Sequence, residues 1–178
     1  MPDQLQQINI SFVPVEDRLL LRITSGQAGA LSEYRIWLTR RFVKLFWTTL
    51  EQIIGTEINK NPYLSPGNKQ EVCRFQEDAA LMKTDFSTPY KAEQAELPLG
   101  EEPILASLIQ TGISGDGQHV IRISDLKNRG ISITMTPQLI YSVRKLLTDA
   151  VLQAQWDLPG IRPAEGEGQI GETRRTIN

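Results

Sequence analysis

One cysteine and one histidine in 178 residues leave little from which to build reactive chemistry. Cys73 alone closes no internal disulfide, and a lone thiol is most easily kept reduced in the cytosol. Neither Cys73 nor His119 stands in a spacing that marks a nucleophile or a metal-ligand set, so no catalytic residue, metal or cofactor is expected. No apolar run reaches the roughly 18 residues of a membrane-spanning helix, and the first residues lack a basic stretch followed by an apolar one. The expectation is a cytoplasmic protein with no membrane partner. A dominant charge sign is missing too: the net charge is -2 and the pI is near 5.5, which provides no global field for nucleic acid. Acids are concentrated in residues 55–103, where nine Asp and Glu stand against five Lys and Arg.

What is present is an ordinary globular composition, 40% hydrophobic and 22% charged, at a length that buries about 70% of the unfolded surface in one domain. Self-comparison then finds a repeat. Leu20-Leu21-Arg22-Ile23-Thr24 recurs as Val120-Ile121-Arg122-Ile123-Ser124, and Tyr34 to Thr39 recurs as Ile131 to Thr136. Tyr34, Ile36 and Leu38 alternate with polar residues as a half-buried strand does, and so do Ile131, Ile133 and Met135. Each strand runs into a helix with a threonine N-cap, Thr39 or Thr136, and with Leu38–Val43 or Met135–Ile140 spaced as a hydrophobic staple. Phe42, Val43, Phe46, Leu50, Ile53 and Ile54 form the first apolar stripe, which Gly55 is expected to end. The matching positions from Leu139 to Ala154 form the second.

A strand before each matched pair, Ile8–Val13 and Ile104–Thr111, completes two strand-strand-strand-helix units. The fold class expected is α+β: one antiparallel sheet of about six strands, with both long helices on one face. The domain spans residues 1–158, with units at 4–55 and 101–158, an acidic insert at 56–100, and a tail at 159–178 that is polar enough to be disordered. Within the insert, Asn68 and Glu71 resemble a capping box, and Val72, Phe75, Ala79 and Met82 are spaced for one buried helix face. Gly112, Gly115 and Gly117 do not make a phosphate loop, because a strand and not a helix follows them. His119 then reads as an exposed or edge residue, and Cys73 as a small packed side chain.

The one unusual local composition runs from Tyr34 to Leu50, with four cations, two tryptophans and no acid. If Tyr34, Ile36 and Leu38 face the helices, then Arg35 and Trp37 face away, together with Arg18, Leu20 and Arg22 of the preceding strand. Arg40, Arg41 and Lys44 follow in the first helical turns, where cations oppose the helix dipole, so at least one of the two arginines is expected to pair with an acid. These seven, Arg18, Arg22, Arg35, Trp37, Arg40, Arg41 and Lys44, are the candidate binding residues. Three readings of the face stand open: cover by the insert helix, an interface with a protein or a second copy, or a platform for single-stranded nucleic acid.

In outline the tandem sheet-then-helix plan is similar to that of the Whirly and PUR single-stranded nucleic-acid-binding proteins. The likeness is one of topology, and it departs in having three strands per unit rather than four, an acidic chain and no matched motif. The leading functional expectation is a non-catalytic, self-associating interaction module. Single-stranded nucleic-acid binding through Arg18, Arg22, Arg35 and Trp37 comes next, and an enzyme third.

Overall fold

The computed structural model describes residues 5–27, 29–60, 63, 65–91 and 95–161. In the first unit β1 (Leu5–Val13), β2 (Arg18–Gln27) and β3 (Ala30–Leu38) form an antiparallel meander that leads into α1 (Arg40–Asn59). The insert contributes α2 (Pro66–Met82), followed by a short strand, β4 (Ile104–Leu105). The second unit repeats the plan: β5 (Leu108–Ile113), β6 (His119–Ser124) and β7 (Gly130–Met135) form a meander that leads into α3 (Pro137–Gln153). The fold is α+β, with three helices and two sheets among the described residues.

Period-two alternation sets the inner faces. Leu19, Leu21 and Ile23 of β2 are fully buried, and so are their counterparts Ile121 and Ile123 of β6. Each such side chain contributes about 1.5–3 kcal/mol by leaving water. The helices start where the threonines direct: the Thr39 hydroxyl accepts from Phe42 N–H at 3.3 Å and that of Thr136 from Leu139 N–H at 3.2 Å. α3 packs against α1 and α2 and also crosses β1 of the other unit, so one core serves both sheets.

Four details depart from the sequence reading. The six strands are not one continuous sheet, because the stretch expected as a single strand from Ile104 to Thr111 changes partner halfway. Ile104 and Leu105 run parallel to β3, Ala106 N–H donates to the Trp37 carbonyl at 3.0 Å, and Ser107 N–H then donates to the Ser124 carbonyl at 2.9 Å. Gly55 does not stop α1. The helix runs one turn further because Glu57 is held there by Lys60 and, at 2.7 Å, by His119 of β6. His119 therefore sits on the central strand of its sheet with its ring largely buried, not at an edge. The cap of α2 is Ser65, whose hydroxyl accepts from Asn68 N–H with Pro66 in the first turn, and not an Asn68–Glu71 box.

Beyond α3, Trp156 meets Phe12 of β1 edge-on at 6.2 Å, and Ile161 is buried in the core. The rest of the expected tail, residues 162–178, lies outside the described residues. No helix among the described residues is long and apolar enough to cross a membrane.

Two glycines are expected to respond to alanine with opposite signs. A Cβ at Gly130 would lie 1.9 Å from the Ile123 carbonyl oxygen, which is backbone and cannot yield, so Gly130→Ala is expected to lower stability by about 1–3 kcal/mol. Inside α1, a Cβ at Gly55 meets nothing within 4 Å, so Gly55→Ala is expected to raise stability by about 0.5–1 kcal/mol. Denaturant unfolding of both variants checks this, and a shared sign refutes it.

Candidate functional site

Arg22 and Arg35 lie directly opposite each other on β2 and β3, a pairing of like charges that a sheet tolerates only when other groups take up the guanidinium groups. Arg22 turns toward β1, donating to Asn9 Oδ1 at 2.8 Å, and its guanidinium stands 4.5 Å over the ring of Tyr90 from the insert. Arg35 turns the other way, donating to the Glu101 carbonyl and lying 4.0 Å from the Glu33 carboxylate. Tyr90 donates to Glu33 at 3.2 Å, so its oxygen accepts from the Thr24 hydroxyl at 2.7 Å. Burial, more than the neighbouring Glu33, pushes the Tyr90 hydroxyl up to about 12, so it stays a neutral donor.

The outer face of the first sheet is therefore covered in part by the insert's own second half. Glu96 extends the edge of the sheet instead, pairing beside β3 with the backbone of Leu31 and Glu33. Trp37 is half-buried beside β4. Arg18 pairs with Glu16 at 3.6 Å. Arg40 pairs with Asp17 at 3.0 Å and stands 5.2 Å over the ring of Trp156, whose indole donates to the same carboxylate at 2.9 Å. Arg41 and Lys44 are exposed on α1, with no side-chain partner among the described residues. The seven candidates thus divide: Arg22, Arg35 and Trp37 share the covered face, Arg18 and Arg40 pair at the β1–β2 turn, and Arg41 and Lys44 face solvent.

The insert helix does not cover that face. It packs on α3 and α1 instead, through a side turned away from Phe75 and Met82, two of the four residues its apolar spacing marks. Arg144 of α3 explains the reversal, for it donates to Glu51 of α1 at 2.6 Å and to Glu77 of α2 at 2.8 Å, while its guanidinium lies 5.1 Å over Trp47. Burial works against this charge, but the two carboxylates outweigh it and hold Arg144 above its ordinary value. Glu77 must face inward to meet it. Cys73 and Ala80 lie on that same inward side, and the Cys73 thiol reaches the Tyr141 hydroxyl at 3.8 Å. Phe75 and Met82 are consequently turned out, 74% and 88% exposed, which corrects the burial expected of these two, while Val72 and Ala79 of the same spacing are half-buried.

Beside this outward stripe a groove of about 380 Å³ opens between α2, the end of α1 and the start of α3. Its apolar lining includes Ile54, Phe75, Ala79, Ala80 and Ile140. Among the described residues no group of His, Cys, Asp and Glu is placed to hold a metal ion. The groove and stripe offer apolar contact and a few polar groups at the rim, an arrangement suited to docking. Comparison of the chain with protein-family models, curated proteins and solved structures finds no match.

Two expectations follow from the ion pairs. Arg144→Ala strips Glu77 of its partner in a mostly buried setting, and a loss of about 3 kcal/mol is expected in denaturant unfolding; a loss below about 1 kcal/mol would deny Arg144 its central place. At Asp17 the Trp156 indole and then Arg40 hold the carboxyl below its ordinary value. The stabilisation is therefore present above the ordinary carboxyl range and is lost as pH falls through the lowered value. Asp17→Asn should be the less stable chain at neutral pH and converge with the wild type in acid. A gap that stays constant across a pH series refutes this.

Proposed function

We propose that the protein is a non-catalytic interaction module that associates with itself through the outward side of α2. The observation that carries this reading is the exposure of Phe75 and Met82 in one stripe of a helix clamped to the body from its other side. Large apolar side chains gathered on one exposed strip are characteristic of contact surfaces, and aromatic residues and methionine are enriched there. The three arginines of the first sheet and Arg40 of α1, by contrast, support the body, since all four already hold partners within the chain.

Light scattering over a concentration series tests the proposal. The wild type should approach twice the chain mass of 20.1 kDa, and Phe75→Ser with Met82→Ser should return it to a single mass. Both side chains are exposed, so unfolding should shift by no more than about 0.5 kcal/mol. A wild type that stays monomeric overturns the reading.

Single-stranded nucleic acid is the second reading, and the free Arg41 and Lys44 on α1 are the observation in its favour. A labelled oligonucleotide titrated at low salt should not bind saturably. Binding abolished by Arg41→Gln with Lys44→Gln, in a chain that remains folded, would reverse the order of the two readings.

A further inference from the structure

Val72, Phe75, Ala79 and Met82 are separated by three, four and three residues, the spacing of alternating a and d positions in a heptad. Counted from Val72 at a, the flanks carry opposite charge. Glu71 and Asp78 occupy g positions on one edge, and Lys69, Gln76 and Lys83 occupy e positions on the other. Asp78 and Lys83 are exposed and make no ion pair among the described residues. The body of the protein meets the helix at Cys73, Glu77 and Ala80 and also takes two of the e residues, since Gln76 accepts from the Tyr141 hydroxyl at 3.2 Å and Lys69 donates to Asn59 at 2.7 Å; among the described residues Phe75, Asp78, Met82 and Lys83 are left exposed along the seam.

Resting on the self-association proposed above, we infer that the occupant of the seam is the α2 helix of a second copy, packed parallel and in register. Charge decides the orientation. In a parallel pair each g residue faces the following e residue of the partner, which sets Asp78 against Lys83 of the second copy and Glu71 against its Gln76, each twice by symmetry. In an antiparallel pair g faces g and e faces e, which sets Asp78 against Asp78 and Lys83 against Lys69. The parallel arrangement also stacks Phe75 on Phe75 across the axis, while the small Ala79 lets the helices approach closely. A seam of two short heptads lies well below the roughly 1,600 Å² of a standard interface, so the dimer is weak and its population depends on concentration.

The test uses the full chain and two charge variants, Asp78→Lys and Lys83→Asp, in sedimentation equilibrium. Each alone sets like charges against each other at both symmetric contacts and should weaken the dimer by about tenfold or more. Mixed in equal amounts they should recover dimer as a heterodimer, because every contact then joins a lysine to an aspartate. That recovery also shows that both variants fold. If the wild type dimerises but the variants dimerise equally well alone, or Lys83→Asp tightens the dimer, the parallel pairing is overturned while self-association stands. A mixture that stays monomeric overturns the pairing too. If the wild type is monomeric, because residues 162–178 or another protein occupy the seam, both fall.

Discussion

Arg144 stands between two carboxylates from two other helices and over an indole ring, and the layout of the helical layer depends on it. Removing a charge from water costs several kcal/mol, and only good geometry with more than one partner offsets that cost. Glu51, Glu77 and Trp47 supply the partners here. Once Glu77 must point inward, the rotation of α2 about its axis is settled, and every other residue of that helix follows in 100° steps. The exposure of Phe75 and Met82 is thus a consequence of an ion pair on the far side of the helix rather than a failure of burial.

The same constraint shows how far the sequence was legible. The two tandem units, their caps and their inner faces were readable, because alternation in Leu19–Ile23 and Ile121–Ile123 and a threonine before each long helix are local signals. The orientation of α2 was not. Hydrophobic spacing alone assigns Val72, Phe75, Ala79 and Met82 to the core, since it cannot weigh Glu77, an acid that looks solvated until its arginine arrives from about 67 residues away. The division into two sheets was hidden for a related reason, since a partner exchange between Ala106 and Ser107 leaves no mark on composition. A residue as polar as Glu57 likewise gave no sign that it would carry α1 past Gly55 to meet His119.

The candidate site divides along the same line. An arginine and tryptophan cluster was visible in the sequence, but its satisfaction was not, because Tyr90 of the insert and the Glu101 carbonyl just beyond the insert reach it from segments whose register no local pattern announces. Self-repulsion between Arg22 and Arg35 is the physical reason that some such cover is needed. Acidity in the insert, legible as a charge imbalance, turns out to act in several separate places: at Glu77 under Arg144, at Glu57 beside His119, and as a free edge on α2.

The crossing of α3 over β1, closed by Trp156 against Phe12 and Asp17, has a consequence for how the molecule is made. The indole and its carboxylate are separated by 139 positions in the chain. At a synthesis rate of about 5–20 residues per second, the first strand waits roughly 7–30 s for its cover to leave the ribosome. Through that interval the first meander presents an apolar face and an open edge, without the strand beside β3 that completes it or the helix that closes over it. The two units resemble each other, yet the first is closed by an element that follows the second: the nascent chain stays vulnerable to wrong pairing until Trp156 has emerged.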